Sequence, residues 1–218
     1  MWLATGTVIM IVITAAVGRD MEDVLNREIN QASLAPAEGN SLVPQGDGWF
    51  IVNVADAQAG ENDPFGARTR FEGDSRFPEF GINVHIVRPG QPACFYHRED
   101  AQEAFLVLRG ECLAVIEGQE HNMQTGDFLY TPPGTTHVLV GAGTTPCTIL
   151  MVGMRRPDTE IFYPIDATAA KSGASVSQET DSVKQAYAQK PQNVLTNLGR
   201  LGLNPRDTGA WEVEEASE

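Results

Sequence analysis

Two of the four histidines in this chain stand close to glutamates in the sequence, and together these residues could hold a metal ion. His97 and Glu99 are two residues apart, so on a β-strand their side chains project from the same face. Glu103 follows where the next strand would begin, and His137 comes shortly after a Pro-Pro-Gly turn. Neutral imidazoles that face a carboxylate are what a divalent cation needs as ligands. On residue type alone, the same histidines could also be hydrogen-bonded members of a hydrophobic core.

Short β-strands are predicted around these residues. From Gly81 onward, apolar runs of strand length alternate with turn residues, a pattern typical of a sandwich or barrel and not of βαβ units. Several runs are apolar on both faces, so a second sheet, flanking segments or a partner subunit must cover the outer face. The predicted strands are residues 49–54, 67–71, 82–87, 104–108, 113–116, 128–131, 137–140 and 148–152.

The two stretches that carry these residues resemble the paired motifs of the cupin superfamily. The first family motif is Gly, a short spacer, His-x-His, three or four residues, Glu, six residues and Gly. The second is Gly, five residues, Pro-x-Gly, two residues, His, three residues and Asn. The motifs cover about a third of this chain, and the nearest likeness is to stand-alone bacterial cupin-domain proteins. The matching positions are, in order, Gly90, His97, Glu103, Gly110, Gly126, Pro132, Gly134 and His137.

The resemblance implies an all-β fold, the cupin double-stranded β-helix or jelly-roll barrel, with a metal cavity inside. Because the chain has no internal repeat, we expect a single barrel with short helical N- and C-terminal extensions. The predicted regions are an N-terminal extension or linker at 1–45, the barrel at 46–155, and a C-terminal extension at 156–218 with one short helix and an acidic tail. The helices are expected at 22–29 and 181–189, the second with Thr180 as its N-cap. Residues 33–48 are rich in Ala, Pro, Gly and polar residues, a composition typical of a linker.

Three positions depart from the family pattern. The spacer after Gly90 has six residues where five are usual, Glu99 replaces the second histidine of the first motif, and Gly141 replaces the final asparagine. If Glu99 is a fourth ligand beside His97, Glu103 and His137, the two carboxylates neutralise the ion and favour Fe, Mn or Ni, with Zn as an alternative. A neutral centre of this kind attracts an anionic substrate less.

A second interpretation of Glu99 makes it a catalytic residue. Two histidines and one glutamate are enough for the facial triad of a non-heme iron, which leaves coordination positions open. The remaining glutamate, if it faces the same cavity, could then act as a general base. The simplest alternative is that Glu99 is an exposed loop residue, since Arg98 and Asp100 stand beside it.

Three functional hypotheses follow from these residues. The first is a metal-dependent enzyme on a small organic substrate, dioxygenase-like if the ion is iron, with isomerase or lyase chemistry as alternatives on the same fold. The second is a non-catalytic cupin module that binds a small molecule or a metal. The third is a barrel that has lost its metal. Phe95, Phe128 and Tyr130 are candidates for lining the cavity, whereas His85 and His121 are expected to be structural or at the surface.

The amino-acid composition limits the classes of partner that the protein is expected to bind. The 218 residues carry 15 Lys and Arg against 29 Asp and Glu, a formal net charge of −14, which disfavours nucleic acid and anionic membranes and favours cations. The three cysteines are expected to be buried free thiols. Cupins commonly pair through their sheets, so a homodimer is expected.

The first 18 residues contain no charged side chain. Because no basic residue precedes the apolar run, a cytoplasmic protein is expected, and no stable membrane insertion. Three alternatives stay open: an exported protein, if residues 1–18 act as a signal segment; a working chain that starts at Met21; and an extra β-branched strand in this stretch.

Overall fold

The regular elements of the described part of the chain are almost all antiparallel strands, as the sequence predicts. A computed structural model describes residues 28–202. It also contains two single-turn α-helices, α1 (Ala167–Ala170) and α2 (Val183–Ala186), and a 3-10 turn, η1 (Leu198–Leu201). The strands are β1 (Ser33–Ala37), β2 (Ser41–Gln45), β3 (Gln58–Asn62), β4 (Gly66–Thr69), β5 (Phe80–Val87), β6 (Arg98–Glu99), β7 (Glu103–Arg109), β8 (Glu111–Ile116), β9 (Gln119–Gln124), β10 (Phe128–Thr131), β11 (His137–Gly141), β12 (Cys147–Met154), β13 (Ile161–Phe162) and β14 (Val194–Asn197).

Two sheets pack together as a jelly-roll barrel. The larger has seven strands in the order β10-β7-β12-β5-β4-β3-β14, and the smaller has three in the order β11-β8-β9. Inward side chains of both sheets form one hydrophobic core, with Phe105, Val107 and Ile149 from the larger sheet and Ala114 and Leu139 from the smaller. Two further pairs, β1-β2 and β13-β6, lie outside these sheets. The double-stranded β-helix implied by the motifs is therefore confirmed.

Flanking segments cover parts of the outer faces that the apolar strands would otherwise expose. Ala169 of α1 is fully buried and belongs to the same cluster as Val115 and Val138 of the smaller sheet. On the larger sheet, Leu198 of η1 is buried with Val84 of β5. The sequence allows the outer faces to be covered by a second sheet, by flanking segments or by a partner subunit. At these two places, the chain's own C-terminal segments cover them.

Near the N-terminal side, two predictions of local structure are wrong. The stretch 33–48, interpreted from its composition as a linker, contains the β1-β2 hairpin, whose turn uses positive φ at Gly39 (80°) and Asn40 (56°). Residues 49–54, predicted as a strand, form only a bridge between Trp49 and Gln31. The predicted helix at 22–29 and the uncharged stretch 1–18 fall, apart from residues 28 and 29, outside the described residues.

The C-terminal extension contributes more than the single helix predicted for it. That helix is only the turn α2, which begins after Ser182 and not after Thr180, because the Ser182 side chain accepts the hydrogen bond from Gln185 N. Farther on, β14 pairs with β3 and completes the edge of the larger sheet. None of the helices in the described residues has the length and apolar character needed to cross a membrane.

Candidate metal centre

The two histidines of the motifs lie opposite each other on neighbouring chain segments. His97 N donates to His137 O at 3.2 Å, and His137 N donates to His97 O at 2.8 Å. This reciprocal pairing places the imidazole rings 5.1 Å apart between centroids. Both residues are buried, with 8% and 3% of their surface exposed. The backbone therefore holds the two rings side by side inside the barrel.

The turn before His137 is fixed by residues on both sides of it. Gly134 has a φ of 86°, a conformation that favours glycine, and its N–H donates to Glu99 O at 2.7 Å. Thr136 N donates to the Glu117 carboxylate at 2.6 Å. The Pro-Pro-Gly turn, which was identified in the sequence, thus fixes the position of His137.

Each imidazole is oriented by a carbonyl two residues earlier. Nδ1 of His97 lies 2.8 Å from Phe95 O, and Nδ1 of His137 lies 3.0 Å from Thr135 O. A carbonyl accepts only, so Nδ1 carries the hydrogen in both neutral rings and Nε2 is left with a free lone pair. This arrangement is the one found in metal-ligating histidines.

Glu103, the first residue of β7, faces these lone pairs. Its Oε2 lies 3.1 Å from His137 Nε2, yet this buried oxygen has no hydrogen-bond partner. Burial on its own would raise the pKa of Glu103, but the His137 and His97 imidazoles outweigh burial and lower it, so the carboxylate is ionised. The Nε2 lone pair and the carboxylate oxygen repel each other at this distance unless a proton or a metal cation lies between them. The donor set therefore fits a divalent ion.

Three of the four predicted ligands come together. His97, Glu103 and His137 each offer one ligand atom, and these atoms all lie within 4.8 Å of one another. Glu99 stands apart from this cluster, with Oε1 3.6 Å from His97 Nε2. Burial would lower the pKa of His97, but Cys94, Glu99 and Glu103 raise it well above its usual value. The cluster thus favours positive charge at its centre.

A cavity of about 770 Å³ opens beside the cluster, and its walls differ from those expected. Phe128 and Tyr130, candidates for the lining, are 64% and 51% exposed on β10 and are not among the residues that line it. The aromatic wall instead includes Tyr163 and Tyr187, which the sequence did not single out because no motif surrounds them. Burial raises the pKa of Tyr163, so its hydroxyl stays protonated and can donate a hydrogen bond.

Phe95, the third expected lining residue, does not line the cavity but packs behind its wall. Its ring contacts those of Phe65 and Tyr187, both at a centroid distance of 4.9 Å. Its N–H donates to the Tyr187 hydroxyl at 3.1 Å. Phe95 thus supports an aromatic side chain of the lining and does not face the substrate space.

The remaining histidines match their predictions, and so do the cysteines except Cys94, which is a free thiol but is not buried. Burial, followed by the charges of Arg68 and Lys190, lowers the pKa of His85 to about 3, and its Nε2 lies 2.8 Å from Phe65 O. His121 is exposed on β9. All three cysteines are free thiols, of which Cys112 and Cys147 are buried and Cys94 is half-buried beside His97.

The comparison with known families agrees with this fold and cluster. The sequence model of the cupin domain matches residues 83–153, the stretch from β5 through β12 that contains His97, Glu103 and His137. The chain contains a cupin domain. The cupin resemblance noted in the sequence is thereby confirmed, and its core coincides with the strands that surround the cavity.

Individual relatives of this cupin are partial matches. An uncharacterised protein of Methanocaldococcus jannaschii is 28% identical over 80 residues, which are 35% of this chain and 64% of that protein. A sugar phosphate isomerase from a cupin superfamily, from Silicibacter pomeroyi, is 25% identical over 53% of this chain and 74% of its own, with a TM-score of 0.42. The polyketide cyclase RemF from Streptomyces resistomycificus is 18% identical over 66% of this chain and 94% of its own, with a TM-score of 0.46. These activities belong to those proteins.

Proposed function

We propose that this cupin is a metal-dependent enzyme that acts on a small organic substrate. The observation that carries the proposal is the buried Oε2 of Glu103, which lacks a hydrogen-bond partner and faces the Nε2 lone pair of His137. A divalent cation held by these two atoms and by His97 would remove the repulsion between them. The cavity beside the cluster supplies room for a substrate.

The composition of the ligand set supports a reaction class. Two histidines and one carboxylate leave coordination positions open, the arrangement typical of non-heme iron oxygenases. A bound divalent ion would hold and polarise a substrate at those positions. With iron, the expected reaction is that of a dioxygenase, whereas Mn, Ni or Zn would direct the search towards isomerase or lyase chemistry.

The chain's own residues have separate roles in this proposal. His97 and His137 bind through Nε2, and Glu103 binds through its carboxylate. Glu99, 3.6 Å from His97 Nε2 and outside the ligand cluster, is the general base that takes a proton from the substrate. Tyr163 donates a hydrogen bond from its protonated hydroxyl, while Phe105 and Leu139 line the cavity as apolar surface.

Metal content tests the proposal. Elemental mass spectrometry of the purified, tag-free protein should find about one Fe, Mn, Ni or Zn per chain, and none in the His97→Ala/His137→Ala double variant. His121→Ala is the matched control, because His121 is exposed on β9, and it should retain the metal. No metal in the wild-type protein, even after reconstitution with each ion, would overturn the proposal.

The non-catalytic binding module is distinguished by turnover. A metal-loaded protein that neither consumes oxygen nor converts any small organic substrate would be assigned to binding instead of catalysis. We further propose that the protein pairs as a homodimer in the cytoplasm, with the pairing tested below at the scale of the whole molecule.

A further inference from the structure

The cavity is basic in a strongly acidic protein. The chain has a formal net charge of −14, yet the cavity is lined by five cationic side chains and only two carboxylates, Glu99 and Glu103. Glu103 belongs to the metal cluster, and Glu99 lies beside it, 3.6 Å from His97 Nε2. The cationic side chains are Arg68, Arg76, Arg155, Arg156 and Lys190.

Most of these cations have an acidic neighbour within the protein. Arg155 pairs with Glu72 through both guanidinium nitrogens, and the charge of Arg76 also acts on this carboxylate. Arg156 lies 3.8 Å from the Asp100 carboxylate. Among residues 28–202, no carboxylate forms an ion pair with Arg68 or with Lys190. The positive charges of these two side chains are therefore available to bind an anion.

Arg68 and Lys190 belong to the same end of the cavity, although the chain separates them widely. Arg68 on β4 pairs in register with the buried His85 on β5. The Lys190 ammonium lies 5.6 Å from the centroid of the Tyr187 ring and 5.7 Å from that of Phe65. Burial, and then the charge of Arg68, lowers the pKa of Lys190. Two like charges that affect each other without a carboxylate between them form a site that an anion stabilises.

We infer that Arg68 and Lys190 bind the anionic group of the substrate. The inference rests on the proposed function and adds the substrate class: a small organic acid or phosphate ester, held by its charge away from the metal. If Glu99 were a fourth ligand, the two carboxylates would neutralise the ion, and the sequence then predicts that the metal attracts an anionic substrate less. The cationic lining supplies an attraction for an anion that does not depend on the charge of the ion.

Ring contacts separate the anion site from the metal cluster. The His97 ring lies 5.7 Å from Tyr163, Tyr163 lies 5.9 Å from Tyr187, and the Lys190 ammonium lies above Tyr187. A substrate that spans this aromatic wall places its charge on Lys190 and Arg68 and a different group beside the metal. The anionic group therefore does not need to be a metal ligand.

Anion titration of the metal-loaded protein tests the inference. Inorganic phosphate and acetate, titrated separately and followed by amide NMR spectra, should shift resonances around Lys190 and Arg68 with a Kd on the order of 1 mM. Arg68→Gln and Lys190→Gln should each weaken binding about tenfold, since each removes a charge-assisted hydrogen bond. Arg109→Gln and Lys171→Gln remove the same charges outside the cavity and should bind as the wild type does. The better ligand of the two distinguishes a phosphate from a carboxylate substrate.

Two further measurements separate this inference from the proposed function. Metal content of Arg68→Gln and Lys190→Gln should equal that of the wild type, and anion binding should persist in the His97→Ala/His137→Ala variant. A wild-type protein that binds the anions but takes up no metal, even after reconstitution, would overturn the metal proposal alone. Absence of saturable binding by both anions, equal affinity in Arg68→Gln and Arg109→Gln, or loss of anion binding on metal removal would overturn the anion site.

Discussion

Glu99 and Glu103 are both carboxylates of the cavity, but their surroundings differ. The buried Glu103 oxygen faces His137 at 3.1 Å and has no hydrogen-bond partner, whereas Glu99 lies 3.6 Å from His97 and its side chain is 23% exposed. Only Glu103 has a ligand atom within 4.8 Å of both histidines. These differences suit Glu103 to metal ligation and Glu99 to general-base catalysis, because a general base must contact the substrate and cannot at the same time coordinate the ion.

Neutralising each glutamate separates the two roles. Glu103→Gln should lower metal affinity by about 100-fold or more, since even residues that only support a ligand cost 10- to 100-fold when removed. Glu99→Gln should retain wild-type metal content and lose turnover. Metal titration monitored by calorimetry measures the first effect. Equal loss of metal in both variants would make Glu99 a ligand and remove it as a base.

The residues of the centre divide into those that the sequence could predict and those that it could not. His97, Glu103 and His137 were predictable because fixed spacings around glycines and a proline imply where their side chains project. Lys190 and Tyr163 come from segments without a motif, and only the path of the folded chain brings them to the cavity. Alternation in β10 pairs Phe128 with Tyr130 on one face but does not say which face is inside.

At the scale of the strands, β12 makes room for Glu103. Gly153 is the register partner of Glu103, and a Cβ added there would lie 3.3 Å from the Glu103 Oε1 and 3.5 Å from its Cγ. The 3.3 Å distance to Oε1 is tighter than ordinary van der Waals contact, so the carboxylate would have to shift by a few tenths of an ångström. The absence of a side chain on β12 is therefore part of the ligand geometry.

Gly153→Ala should weaken metal binding about tenfold while leaving the unfolding midpoint within a few degrees of wild type. Gly81→Ala is the matched control on the neighbouring strand, where the added Cβ meets the Arg155 guanidinium at 3.3 Å and not a ligand. Calorimetric metal titration of both variants provides the comparison. Equal metal affinity in Gly153→Ala and the wild type would show that the added methyl group does not displace the Glu103 carboxylate.

The strands themselves were predictable where turns bound them and where the next strand gives them a partner. Residues 128–131 match β10, because an Asp before them and Pro-Pro-Gly after them bound the run. Residues 49–54 are apolar enough for a strand, but the segment pairs with another segment only through the bridge between Trp49 and Gln31. Local composition does not predict which segments will pair. In contrast, β1 and β2 contain Pro36 and Pro44, which argue against a central strand yet are tolerated in an isolated hairpin.

For the whole molecule, the surface left after the flanking segments have packed is a candidate for pairing. Phe128 and Tyr130 are exposed on β10, the edge strand of the larger sheet. A strand edge with two large apolar side chains is a ready site for association with a second copy. The homodimer expected from the sequence is therefore predicted to form through β10.

Light scattering should give the mass of a dimer for the wild type and of a monomer for Phe128→Glu, since a charge in an apolar interface is costly. Val194→Glu places the same charge on the opposite edge strand, β14, at a residue that is 68% exposed, and should remain dimeric. A monomeric wild type would contradict the prediction, and a monomeric Val194→Glu would move the interface to β14.

The pairing of β14 with β3 has a consequence for synthesis. A ribosome releases β3 long before β14, so β3 has one open edge during that interval. Its residues, Gln-Ala-Gly-Glu-Asn, include neither a β-branched nor an aromatic side chain and carry the charge of Glu61. Such an edge has little tendency to pair with another nascent chain. Lys190 is translated only just before β14. A nascent barrel therefore completes its cavity lining at about the time when β14 becomes available to pair with β3.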